Sequence, residues 1–147
     1  MNRLARAAAA LAAAALAACS PALRQGATPP ERTEPDATPL AGRWTGTYTC
    51  GQGETGLTLT ITPGVMGQLE ARFEFRALPS NPSVPSGEYW MAGWVTTDGH
   101  VALVGVEWIR QPPNYIMVGL WGRLSADRRR FSGIVPECAA PFSLVRQ

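Results

Sequence analysis

From Ala41 to the end, the chain is a succession of short alternating segments rich in β-branched and aromatic residues, divided by Gly, Pro, Asn and Asp. That pattern constrains the fold more than any other feature. Eight segments can be read: Arg43–Cys50, Gly56–Thr62, Gln68–Ala77, Gly87–Thr96, His100–Ile109, Tyr115–Leu124, Arg130–Val135 and Pro141–Arg146. Several divisions carry turn chemistry, among them Pro63-Gly64, Asp98-Gly99 and Pro112-Pro113-Asn114. No stretch repeats its apolar residues with a helical period, so residues 41–147 read as one all-β domain. Eight short antiparallel strands predict an up-and-down barrel, with a compact sandwich as the alternative.

The alternation assigns faces. Trp44, Gly46, Tyr48 and Cys50 share one side of the first segment; Leu57, Leu59 and Ile61 share one side of the second. Leu69, Ala71, Phe73 and Phe75 do so in the third, with Glu70, Arg72, Glu74 and Arg76 opposite. The next three segments differ. Tyr89, Met91, Gly93 and Val95 alternate with Trp90, Ala92 and Trp94. Val101 and Leu103 alternate with Ala102, Val104, Val106 and Trp108; Ile116, Val118 and Leu120 alternate with Tyr115, Met117 and Trp121. A sheet that is apolar on both faces is covered on both, or else offers an apolar surface or cavity to a ligand or partner. Covering material is at hand in the loop Leu78–Ser86 and in the segment before Ala41. The candidate binding surface comprises Trp90, Trp94, Trp108, Tyr115 and Trp121, with Ser86 and Tyr89 at its edge.

Met1–Arg6 carries two arginines, and Ala7–Ala18 contains alanine and leucine only. Such a run suits the apolar part of a signal peptide and is too short to span a bilayer. It ends Leu16-Ala17-Ala18-Cys19, which resembles the lipobox of bacterial lipoproteins. The resemblance implies diacylglycerol on the Cys19 sulfur, cleavage before Cys19, and a fatty acyl chain such as palmitate on the new amino terminus. Two or three chains hold a protein on a membrane where one does not. Ser20 follows, whereas an aspartate there would be the usual inner-membrane retention signal, so the expected location is the periplasmic face of the outer membrane. The span 19–40 is then the lipidated cysteine and a tether. It holds Pro21, Pro29, Pro30, Pro35 and Pro39 and no aromatic residue, and it is expected to be disordered.

With Cys19 acylated, Cys50 and Cys138 remain, and an even pair in an exported protein predicts a disulfide. Cys50 closes the first segment and Cys138 just precedes the eighth, so the bridge would fasten the seam of a closed barrel. Catalytic chemistry is scarce. All 13 basic residues are arginine, so Schiff-base and P-loop lysine chemistry are excluded. Without the leader, 11 basic residues face 11 acidic ones, which excludes nucleic-acid binding through a dense basic field. The single histidine, His100, follows a turn and lacks a second histidine for a metal site. Glu88 and Glu107 are the acids embedded in apolar segments, and would pair only if both pointed inward. The sequence predicts no enzyme, cofactor or metal.

Gly42-Arg43-Trp44 near the start and Arg146 near the end resemble calycins, in which a first-strand tryptophan is covered by an arginine from near the end of the barrel. That implies a barrel binding a small apolar ligand. The domain as a whole resembles an uncharacterised bacterial domain family. The pattern runs through Trp44-x-Gly46-x-Tyr48-x-Cys50-x-Gln52-Gly53, Asn81-Pro82-x-x-Pro85-Ser86-Gly87, Trp108-Ile109 and Pro113-x-Tyr115-x-x-Val118-Gly119-Leu120, and carries no activity with it. Tyr48-Thr49-Cys50 and Ser86-Gly87-Glu88-Tyr89 are similar to the lipoprotein inhibitors of C-type lysozyme, although the tyrosine stands one residue early. The leading expectation is a monomeric, lipid-anchored envelope protein whose barrel is a non-enzymatic binding module. Its partner would be an envelope protein or a small apolar ligand.

Overall fold

Tight turns reverse the chain after most alternating segments, so each strand pairs with its predecessor and the last returns to the first. The computed structural model describes residues 34–147; the expected signal peptide, Cys19 and most of the proline-rich segment lie outside the described residues. The strands are β1 (Gly42–Cys50), β2 (Gly53–Pro63), β3 (Gln68–Arg76), β4 (Gly87–Val95), β5 (His100–Arg110), β6 (Leu120–Leu124), β7 (Arg130–Val135) and β8 (Ala140–Arg146). They form a closed antiparallel barrel in sequence order, with β8 paired back onto β1. The expected up-and-down barrel is the fold, and the sandwich is set aside. Closure pairs the first strand with the last; Val104–Arg110 of β5 remain without a partner on β6, which pairs only with His100–Leu103.

Inward residues follow the predicted parity in the first three strands. Trp44, Leu57, Leu59, Phe73, Phe131 and Leu144 are fully buried. The aromatics pack on one another: Phe73 stacks on Tyr89 at 4.6 Å, Tyr48 meets Phe73 edge-on at 5.2 Å, and Phe131 meets Phe142 at 5.0 Å. Edge-on and stacked pairs add about 0.5–1.5 kcal/mol each beyond the area they bury. The barrel interior is therefore filled by its own side chains.

The seam runs from the pair Trp44–Arg146 to the pair Tyr48–Phe142. At one end the Arg146 guanidinium lies over the Trp44 ring, 4.3 Å from its centre. The same group donates to the Ala41 carbonyl at 2.7 Å and to the Pro39 carbonyl, while Trp44 Nε1 donates to the Leu40 carbonyl at 2.9 Å. At the other end Cys50 and Cys138 form a disulfide, their Cα atoms 5.2 Å apart. Between them Gly46 lets the strands approach, since a Cβ there would stand 2.0 Å from the Ser143 carbonyl oxygen.

Four expectations are corrected. Order begins before Ala41: Thr38–Leu40 form a 3-10 turn, and Ala37 and Leu40 are buried in the core. The sixth strand begins at Leu120, not Tyr115. Residues ahead of it find partners outside the ladder: the Tyr89 hydroxyl donates to the Val118 carbonyl at 2.9 Å and accepts from the Val118 amide, and Glu137 accepts from the Gly119 amide at 2.9 Å. Irregular pairing between β4 and β5 turns Trp108 inward, because Met91 pairs with Gly105 while Trp90 pairs with Glu107, which leaves Val106 as an extra residue. Lastly, the loop Leu78–Ser86 does not cover the outer face of β4–β6. Its Val84 is buried in the core, and Trp90 and Trp94 stay exposed.

Changing both Cys50 and Cys138 to alanine is expected to lower stability by at most about 4–5 kcal/mol, the chain-entropy value for cysteines 88 residues apart, read as a lower urea midpoint. Arg146→Ala should cost about 1–2 kcal/mol, because it removes the cation from the Trp44 face and the donors to three carbonyls, those of Pro39, Ala41 and Arg128. Thermal unfolding of the variant measures it.

Candidate functional site

The pairing register that fills the barrel also sorts what stands outside it. Trp94, Ala102, Trp121 and Ile134 are successive cross-strand partners on β4, β5, β6 and β7. Ala92 and Val104 form the neighbouring row, and Trp90 stands opposite Glu107. Trp94 is 51% exposed, Trp90 46%, Val104 47%, Ile134 48% and Trp121 37%. Large apolar side chains set side by side on a sheet and facing water make a patch rather than the scattered apolar residues any surface has. Tryptophan is also the residue type that most often anchors protein interfaces.

A charged cluster borders this patch. The His100 ring stacks on Trp121, centres 4.9 Å apart and planes 17° apart. His100 Nδ1 lies 2.8 Å from Asp98 Oδ2, and Arg123 Nε donates to His100 Nε2 at 3.0 Å. Hydrogen bonds from the Thr96 hydroxyl, first, and from His100 hold the Asp98 carboxyl down to about 2. A shallow cleft of about 300 Å³ opens between Trp121, Arg123 and Ile134. Across the patch, Arg72 binds both Glu88 and Glu74, and the bond to Glu88 raises the Arg72 pKa.

A second concavity lies at the disulfide end of the barrel. It holds about 300 Å³ and is lined by Tyr48, Gln52, Asn114, Tyr115, Val118 and the bridge. Tyr48 accepts from Gln52 Nε2 at 3.0 Å, and burial pushes its hydroxyl pKa up. Asn81 Nδ2 donates to the Gln52 carbonyl at 2.7 Å and to the Glu54 carbonyl at 3.1 Å, fastening the β3–β4 connection to the β1–β2 turn. The sequence pattern that contained both Gln52 and Asn81 gave no sign that they meet.

Of the seven candidate surface residues, the structure brings together Trp90, Trp94 and Trp121 on the outer face. Trp108 points inward against Tyr89 at 5.0 Å, and Tyr115 stacks on Phe75 at 5.4 Å by the mouth of the barrel. Tyr89 is buried and bonded through its hydroxyl, so it cannot enter another protein's cleft without unpacking the core. Ser86 is exposed in a different groove, beside Arg43, Glu74 and Arg110. Glu88 and Glu107 form no inward carboxylate pair: Arg72 takes Glu88, and Glu107 is exposed opposite outward Trp90. Ile134 was missed as a surface residue, although the alternation of Arg130–Val135 places it opposite Phe131 and Val135. Among the described residues, no three His, Cys, Asp or Glu side chains gather where they could hold a metal ion. Nor is any helix among them long and apolar enough to cross a membrane. In comparisons with known proteins the chain matches no family model, no curated protein and no solved structure.

Because its pKa is depressed, Asp98 stabilises the β4–β5 hairpin above the ordinary carboxylate range, and that contribution is lost as pH falls from about 3.8 to about 2. Thr96→Val is expected to move the Asp98 titration midpoint upward, measured by carboxyl-carbon NMR; an unchanged midpoint would remove the hydroxyl as its main cause.

Proposed function

We propose that this protein is a lipid-anchored component of the bacterial cell envelope. Its barrel is a non-enzymatic binding module that holds an envelope protein against the outer face of β4–β7. The observation that carries this reading is the set Trp94, Trp121 and Ile134, aligned by register through Ala102 and flanked by Trp90 and Val104, all five large side chains facing water on the barrel wall. Burying such residues on a partner yields roughly 25 cal/mol per Å² of apolar surface, before the costs of association. Of the charged residues near the patch, His100 is engaged with Asp98 and Arg123 and Glu88 with Arg72, while Glu107 stands exposed opposite Trp90. Acylation of Cys19 supplies the anchor in this reading and places the protein on the periplasmic face of the outer membrane.

A second reading, a barrel that takes a small apolar ligand, draws on one observation, the 300 Å³ concavity at the disulfide end. The self-packed aromatics leave that ligand the mouth and not the interior.

The two readings separate by experiment. Trp90→Ser with Trp94→Ser should abolish in-cell photo-crosslinks made from position 104, while changing stability by no more than about 0.5 kcal/mol, as surface substitutions do. Crosslinks that persist would end the outer-face reading. An excess mass in native mass spectrometry that disappears on denaturation, and survives the double substitution, would favour the mouth ligand instead.

A further inference from the structure

The end of the barrel where the chain enters has a character of its own. Three turns and the entering segment build it, the β4–β5 turn contributing Asp98, which is bound to His100 and Arg123. The β2–β3 turn, Gly64–Gly67, displays Val65 and Met66 side by side at 73% and 70% exposure; at the other end Ile116 is equally exposed, at 70%, but stands alone. The β6–β7 turn displays Arg128 and Arg129, with Arg130 opening β7, and all three are exposed. That turn is held in shape from within. Asp127 accepts from the Ser125 hydroxyl at 2.6 Å and from the Arg129 amide at 3.1 Å, and Ser125 Oγ accepts from the Arg130 amide at 2.9 Å. Its guanidinium groups are therefore presented by a fixed backbone. Among the described residues, ion pairs involve only Arg72, Arg123 and His100 as cations, so Arg128, Arg129, Arg130 and Arg146 form none. An open cleft of about 640 Å³ lies among Arg129, Arg130, Arg146 and Asp127, with room for a phosphate group.

The entering segment joins the β2–β3 and β6–β7 turns. Pro35 packs on Gly67, close enough that a Cβ on that glycine would stand 2.9 Å from the Pro35 Cβ. Asp36 lies in the field of Arg128, and Leu40 is buried below Trp44. Ahead of Glu34 only 14 residues separate the barrel from Cys19. Extended at about 3.1 Å per residue they reach about 45 Å, but a flexible chain of that length spans only about 20 Å on average. The opposite end of the barrel mixes Glu54 and Glu137 with Arg76 and Arg110; the entry end has Asp36, Asp98 and Asp127 as well, but there three consecutive arginines, Arg128–Arg130, are exposed together.

We infer that this end of the barrel docks on a lipid surface with anionic headgroups, Arg128–Arg130 meeting phosphates while Val65 and Met66 insert beside them. The inference rests on the lipid-anchor reading above. Each arginine near an anionic membrane contributes about 1 kcal/mol, and because the lipidated cysteine of that reading already keeps the barrel near the surface, a few such contacts suffice to orient it. Docking in this orientation leaves the side of the barrel, with Trp90, Trp94 and Trp121, turned along the membrane and free for a protein partner.

The test is neutron reflectometry of the full acylated protein on a supported bilayer of phosphatidylethanolamine with one quarter phosphatidylglycerol. The wild-type protein layer should abut the headgroups. Arg128→Asn, Arg129→Gln and Arg130→Gln together should move it outward by roughly 10–20 Å, the flexible reach of the tether. Raising salt to 1 M, where screening acts within about 3 Å, should do the same. Asparagine is chosen at position 128 because φ there is 59°. Val65→Ser with Met66→Asn, remote from the arginine turn, should produce a smaller outward shift. A layer that stays attached but stands off equally in wild type and variants would overturn the docking while leaving the anchor intact. Protein that washes off altogether would overturn the anchor reading and the docking with it.

Discussion

Everything in this fold depends on joining the two ends of the domain. β1 and β8 lie about a hundred residues apart, and loop closure over that distance costs entropy before any contact repays it. Two fasteners of different kinds hold the seam. At the end where the chain enters, Arg146 reaches from the last strand across the face of Trp44 and ties the Pro39 and Ala41 carbonyls into the same cluster. At the other, the disulfide joins the end of β1 to the turn before β8. Between them Gly46 and Ser143 pass too closely for any side chain on the glycine. The physical purpose of covering the first-strand tryptophan is visible here: one cation closes the barrel floor and the seam together.

A filled barrel leaves function to its outside and its ends. The inward aromatics occupy one another's faces, so the chemistry available to a partner is what the register places outward. Three kinds of surface result. The side carries tryptophans in a row, the entry end carries a cationic turn and an apolar tip, and the disulfide end carries a concavity. A barrel wall and a barrel end face different directions, so the side and the entry end are separately accessible, as the proposed protein and membrane contacts require.

How much of this was readable beforehand varies by element. Parity along Arg43–Cys50, Gly56–Thr62 and Gln68–Ala77 identified the inward residues of β1 to β3, because those strands are regular and only one of their faces is apolar. Parity failed for Trp108, since an irregularity between Trp90 and Met91 inserts a residue on the partner strand and reverses the faces after it. Apolar character could not warn of this, because both faces of that strand are apolar. It failed differently for Tyr115–Gly119, which reads as strand but has its backbone satisfied by the Tyr89 hydroxyl and Glu137, groups distant in sequence. The outer patch was half legible: Trp90, Trp94 and Trp121 were singled out, whereas Trp108, Tyr89 and Tyr115 were assigned to it and belong to the core or the mouth.

The sequence by itself determined the number of strands, the inward face of the regular ones and, with Cys19 read as acylated, the cysteines expected to pair, while barrel and sandwich both remained open. Those follow from local periodicity, turn chemistry and the count of thiols, none of which requires distant residues. The tertiary structure alone decided which tryptophans face water, where β6 begins, that residues 37–40 close the floor, and that an arginine turn and an apolar turn share one end. Each of these depends on which residues from distant strands come to lie opposite one another. That register is settled only when the barrel closes, since a shift of one residue exchanges the inside of a strand for its outside.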